Sequence, residues 1–262
     1  MTQVLKGIRV LDFGRYIAGP YCGTLLGDMG AEVIRIEKVD GSEDRFLSPI
    51  SDKGDGGLFM QLARNKKCLT LNPMKPEGRE IVKKLVKTAD VVIANLPPDT
   101  LQAMGLDYDS LKDTKPDIIL TTVSAFGRGG PYANRVGFDG LGQAMSGAMY
   151  MSGTPDQPVK AYPPYIDFGT ASLSAFGTMA ALFERQKTGK GQMVEGIEDL
   201  AGLGRNNPML ALVLAVFLFS LAGIPPLAGF FGKFYVFLAA IEAELYTLAI
   251  LGVLSSVVGA FY

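Results

Sequence analysis

With no histidine among its 262 residues, this chain draws any side-chain chemistry from 26 acidic groups, 25 basic groups and two cysteines. An imidazole base, a Ser-His-Asp triad and a His-ligated zinc site are excluded on inventory alone. Cys22 and Cys68 lack the paired spacing of a disulfide framework, a metal site or a redox motif, and read as buried small hydrophobes. One carboxylate at a legible helix start is Asp167, within Tyr165-Ile166-Asp167-Phe168-Gly169-Thr170. It follows an apolar stretch and opens a glycine-containing helix. A carboxylate there is expected to stay ionised, because unpaired N–H groups and the helix dipole favour negative charge. An ionised carboxylate can act as a nucleophile; from the pattern alone, an ordinary helix cap is the favoured reading. The second candidate is Lys233, flanked by Gly232 and Phe234 and one of three charges between Met209 and Tyr262. A lysine in so apolar a segment is costly to bury unless it serves a water-filled path or a partner; snorkelling to an interface is the plain alternative.

The elements that must position Asp167 are those of an α/β fold. Gly7 to Gly14 reads as a strand, Tyr21 to Ala31 as a helix and Glu32 to Lys38 as a second strand. A further round follows: strand at Leu69 to Leu71, helix from Pro76 to Ala89 with proline in its first turn, strand at Asp90 to Leu96. Asp117 to Val123 supplies another strand. Such alternation predicts a Rossmann-like parallel sheet with flanking helices, since each parallel crossover returns across a sheet face. Ligands bind beyond the carboxyl ends of such strands, and the first loop there is Gly14 to Pro20. It lacks a G-x-G-x-x-G fingerprint, which disfavours a nicotinamide dinucleotide; its glycines and proline also fit ordinary turn punctuation.

Beyond residue 195 the solvent preference changes. Only Glu198, Asp199, Arg205, Lys233, Glu242 and Glu244 carry charge there, and the run from Met209 is apolar enough for membrane-type α-helices. The expected division is therefore 1–195, soluble, and 196–262, membrane-embedded. Leu245 to Tyr262 spans about 27 Å as a helix, close to a hydrocarbon thickness. The net charge of −1 gives no electrostatic case for nucleic acid. The amino-terminal MTQVLKGIRVLDFG lacks the apolar region of a secretory signal, which places the first part in the cytoplasm and the second in an inner or plasma membrane.

Four stretches carry a resemblance: LDFGRYIAGPYCGTLLGDMGAEVIRIEK, the NKK-x-LTLN-x-x-K-x-PEG run from Asn65 to Gly78, DVVIANLPP, and TGKGQMVE from Thr188 to Glu195. Together they resemble the family III CoA-transferases, the group that includes formyl-CoA and carnitine CoA-transferases. The resemblance covers 1–195, an incomplete large domain of that family. It implies coenzyme A transfer between carboxylic acids, with a CoA thioester and an acid as substrates and no tightly bound cofactor. It also implies Asp167 as nucleophile, an aspartyl-CoA thioester intermediate and a homodimer. Ala18, Lys38, Met74, Lys75, Asn95 and Met104 fall on positions the family sets against CoA, while Ala103 stands where some members carry arginine. The related α-methylacyl-CoA racemases need a Gly-His-Asp motif; the triplet here is Gly137-Phe138-Asp139, so proton abstraction lacks one partner and transfer is preferred.

From Leu200 onward, GLGRNNP, LFSLAGIPPLAGFFGKFYVFLAA and ILGVLSSVVGAFY resemble subunit N of the proton-pumping NADH-quinone oxidoreductase. That resemblance implies a helix broken at Pro225 and Pro226 and places Lys233 on a proton path. The stretch is a fragment of such a subunit. The whole chain then reads as a membrane-anchored transferase, a respiratory membrane subunit with an extension, or a chimera with no intact function.

Overall fold

The computed structural model describes residues 3–195 except 50, 53, 129 and 155. The chain divides into two units, Met1–Asp199 and Leu200–Tyr262. The expected membrane helices of 196–262, with Lys233, lie outside the described residues.

The first unit is built on a six-stranded sheet: β1 (Arg9–Asp12), β2 (Glu32–Glu37), β3 (Lys66–Thr70), β4 (Val91–Ala94), β5 (Ile119–Thr122) and β6 (Met193–Val194). Every neighbouring pair is parallel and the order is β3-β2-β1-β4-β5-β6. The helices are α1 (Ala18–Asp28), α2 (Gly57–Leu62), α3 (Pro76–Val86), α4 (Pro98–Met104), α5 (Tyr108–Thr114), α6 (Asp139–Met145), α7 (Ala148–Met151) and α8 (Tyr165–Thr188). This matches the expected Rossmann-like architecture. The order reverses between β1 and β4, which makes the space beyond their carboxyl ends the place for a ligand.

Both sheet faces are covered, so the central strands are apolar without alternation. Every residue of β4 is buried, yet its side chains part by the two-residue period of a strand. Val91 and Ile93 join Val10, Leu26, Ala171 and Leu182 in one cluster. Val92 and Ala94 join Leu11, Val82, Leu101 and Leu111 in the other. Each fully buried Val, Ile or Leu contributes about 1.5–3 kcal/mol of transfer free energy. Helix α8 packs beside α1 and across β5, and the Thr121 and Thr178 hydroxyls, 2.6 Å apart, tie it to the sheet. It is the one helix among the described residues long and apolar enough to cross a membrane by length and composition. Here its buried face (Ala171, Ala175, Ala181, Leu182) lies in the core.

The motif glycines have identifiable work. In TGKGQMVE, Gly189 ends α8 in the left-handed region, φ 68°. A Cβ on Gly191 would overlap the Ile118 carbonyl oxygen, so only glycine lets β6 dock on β5. The two-residue β6 itself carries no legible strand pattern. Cys22 is buried as expected, whereas Cys68 is exposed, because β3 is the sheet's edge strand.

Candidate active site

A cavity of about 340 Å³ opens at the reversal point. Its wall is made from the loop after β1 (Arg15 to Ala18), the loop after β4 (Asn95 to Pro97), Val123 to Ala125 after β5, the Arg135 to Phe138 segment, and Ile166, Asp167 and Thr170 of α8. Of the residues expected in the site, Asp167, Ala18 and Asn95 meet here. Lys38, Met74, Lys75 and Met104 do not line it. Lys38 is exposed and paired with Glu43. Lys75 is the exposed residue preceding α3, and Met74 is exposed with its N–H donated to Asn72 Oδ1 at 3.0 Å. Met104 is buried in the apolar cluster with Leu101 and Leu111, so its side chain serves packing.

The β1–α1 loop is held by groups that sequence spacing alone does not connect. Asn95 accepts the Arg15 N–H at 2.7 Å through Oδ1 and donates Nδ2–H to the Arg15 carbonyl at 2.8 Å. Tyr16 adopts φ 58°, a left-handed conformation costly for a side chain of its size, and its ring meets Phe138 edge-on at 5.2 Å. Arg15 donates Nη1–H to the carbonyls of Phe13, Gly14 and Ile36. Beneath the loop, Lys66 and Asp12 form a fully buried ion pair at 2.8 Å, and Lys66 also donates to the Pro20 carbonyl. Asp12 accepts the Gly14 N–H in turn. Burial pushes against the Asp12 charge, but Lys66 outweighs it and holds the carboxyl below the usual aspartate range. The NKK motif thus contributes Lys66 as a brace under the loop. A Cβ on Gly19 would come within 3.0 Å of Asn95 Oδ1, which explains glycine where α1 starts.

Asp167 departs from the expectation of a capping, freely ionised carboxylate. Helix α8 begins two residues earlier, after Pro164, and Asp167 lies in its first turn. The cap is supplied from α6: Asp139 Oδ1 accepts the N–H of Ile166 at 2.9 Å and that of Asp167 at 3.4 Å. Among the described residues nothing hydrogen-bonds the Asp167 carboxylate itself. Burial, then the nearby Asp139 charge, push the Asp167 carboxyl up to about 6, with Lys160 acting the other way. Asp139 was visible in the sequence only as the third member of Gly137-Phe138-Asp139, 28 residues away in the chain. No local signal joins it to Asp167. Among the described residues no cluster of three or more potential ligands gathers as a metal site.

The strand order, with Asp167 in the wall of the switch-point cavity, defines a Rossmann-type α/β domain. The sequence model of CoA-transferase family III matches residues 5–198, and the chain belongs to that family. It is 40% identical over 193 residues to a succinyl-CoA--D-citramalate CoA-transferase of Chloroflexus aurantiacus, covering 73% of this chain and 48% of that one. It is 38% identical over 231 residues to a succinate--glutarate CoA-transferase of Agrobacterium fabrum, covering 85% and 56%. A crystal structure of a CAIB/BAIF family protein from Brucella suis superposes with a TM-score of 0.71 at 36% identity, over 82% of this chain and 59% of that one. The chain spans about half the length of the curated relatives it matches. A second sequence model, for the membrane domain of NADH:quinone oxidoreductase and Mrp antiporters, matches residues 141–259. The two matches overlap over 141–198, where the described residues form α6 to α8 and β6 of the transferase-type unit.

Proposed function

We infer that residues 1–195 carry a site for moving coenzyme A between carboxylic acids, with Asp167 as the nucleophile. The observation that carries this reading is the position of Asp167 in the wall of the switch-point cavity of a family III chain. In the proposed sequence an Asp167 oxygen attacks the thioester carbonyl, forming a mixed anhydride and releasing CoA thiolate. The thiolate attacks the aspartyl carbonyl, giving an aspartyl-CoA thioester and freeing the first acid. The second acid's carboxylate then attacks the aspartyl carbonyl, forming a new anhydride and expelling the thiolate again. Attack of that thiolate on the substrate carbonyl yields the new acyl-CoA and restores Asp167.

Asp139 supports this role by taking the helix N–H groups, which leaves the Asp167 carboxylate without hydrogen bonds among the described residues and more available for attack. Ala18 and Asn95 form the loop surfaces against which CoA would lie. Lys38, Met74, Lys75 and Met104 are proposed to help hold CoA outside the described cavity, Met104 through its main chain. The relatives named for succinyl-CoA make a short dicarboxylyl thioester the first donor to test, and Arg15 and Arg135 in the cavity wall offer cationic partners for a distal carboxylate. Incubation of the full chain with succinyl-CoA and isotopically labelled succinate should exchange label into the thioester, and Asp167→Ala should abolish the exchange. Exchange that survives Asp167→Ala would refute the assignment.

A second reading concerns 196–262. The membrane-domain match and the near absence of charge favour a membrane-inserted segment that anchors the transferase part, with Lys233 on what was a proton path in the parent subunit type. The chain is then a fusion of two partial families, cytoplasmic at its amino end, and a homodimer where the transferase part assembles as its family does.

A further inference from the structure

The cap on α8 comes from a residue outside that helix, and the same residue is locked in place by an extended network. Asp139 is 5% exposed. Its Oδ1 accepts the first-turn N–H groups of α8, at Ile166 and Asp167. Its Oδ2 accepts Gln143 Nε2–H at 2.6 Å and faces Lys160 Nζ at 3.4 Å. Gln143, fully buried, also takes the Ala161 N–H at 2.9 Å through Oε1, which fixes the segment leading into α8 against α6. One carboxylate thus joins three pieces of chain: α6, the Lys160-Ala161 segment and the start of α8.

We propose that Asp139 is a positioning residue that aims Asp167 into the cavity and, by occupying the α8 N–H groups and placing its own charge alongside, keeps the Asp167 carboxylate reactive. This rests on the reading of Asp167 as nucleophile. A helix N-terminus ordinarily stabilises a nearby carboxylate and so blunts it as a nucleophile. Here the α8 N–H groups at Ile166 and Asp167 are taken by Asp139. Among the described residues, the charged and titratable groups around Asp167 are Asp139 on α6, Lys160 before α8, and Arg15, Tyr16 and Arg135 in the cavity wall. The elevated titration of Asp167, near 6, has burial as its first cause and Asp139 as its second. Lys160 opposes both, so the two neighbours should move it in opposite directions.

The test is the titration of Asp167 in the full chain, followed by the carboxyl-carbon resonances of aspartate-labelled protein, with Asp167→Asn identifying the signal. Asp139→Asn, which keeps an oxygen to cap α8, should lower the midpoint by about one pH unit. Lys160→Gln should raise it, and this variant leaves every cap hydrogen bond intact should Asp139→Asn fail to fold. Slower formation of a CoA adduct in Asp139→Asn with the lowered midpoint supports the proposal. An unchanged midpoint in both variants overturns it. Absence of any adduct in the unsubstituted chain, with the titrations moving as described, refutes the nucleophile reading and leaves the control of the Asp167 charge by Asp139 standing.

Discussion

Asp167 combines two properties that pull apart in most proteins: a helix start that favours negative charge and a half-buried, doubly acidic setting that disfavours it. The second prevails because another carboxylate already holds the N–H groups. This has a thermodynamic consequence with a definite sign. The folded-state value near 6 exceeds the ordinary aspartate value of 3.8, so the folded chain holds the proton more tightly than the unfolded one. The cost of ionisation is absent below about 3.8, grows between 3.8 and 6, and is complete above 6. Asp167→Asn should therefore melt higher than the parent at pH 7 to 8 and at the same temperature near pH 4, measured by calorimetry across that range. On the proposed role of Asp167, transfer activity should fall as pH drops through about 6, where its carboxylate takes a proton. Asn95→Ala, by freeing the Arg15 N–H and carbonyl, should weaken CoA binding by about 1–3 kcal/mol in a calorimetric titration. The helix that carries Asp167 into the cavity wall was legible in the sequence. Asp139, Gln143 and Lys160 were not, because their link to it is purely three-dimensional.

At the scale of elements, the site is held up by buried charge. On β2, the Arg35 guanidinium has no exposed side-chain surface and meets both oxygens of Asp44 at 2.8 Å. Arg45 stacks 3.9 Å over the Phe59 ring and pairs with Glu37, which fastens the long β2–α2 connection to the sheet. Removing one partner of such a pair leaves an uncompensated buried charge. Asp44→Ala should lower stability by about 3–5 kcal/mol in chemical denaturation, with little dependence on salt because the pair is shielded from solvent. Four of the strands were readable as β-branched runs, and α3 as a proline-led helix, whereas β3, expected at Leu69 to Leu71, runs from Lys66 to Thr70, because two lysines open it and Thr70 is its only β-branched residue. The short helices α2 and α4 to α7 escaped, since four to seven residues give too few turns for a helical period to show. β6 escaped for the same reason at two residues. Its place was implied only by the glycine spacing of TGKGQMVE, whose meaning depends on the Ile118 carbonyl that it meets.

At the scale of the whole molecule, the change of solvent preference after residue 195 was legible from charge alone, and a membrane-domain match accompanies it. The architecture of the first unit was legible because alternating strands and helices leave few ways to build a parallel sheet. What the sequence pattern did not convey is that the positions expected against coenzyme A divide, with Ala18 and Asn95 at the cavity and four others away from it. If 196–262 is an anchor, the full chain should fractionate with membranes and need detergent for release, whereas a chain ending at 195 should remain in the soluble fraction; equal partitioning of the two would count against the anchor. The central claim concerns Asp167, and intact mass spectrometry of the full chain after incubation with succinyl-CoA tests it most directly. A covalent CoA adduct that maps to Asp167 and vanishes in Asp167→Asn is the predicted result. A folded chain that binds CoA and yet forms no adduct, or forms one at another residue, would contradict it.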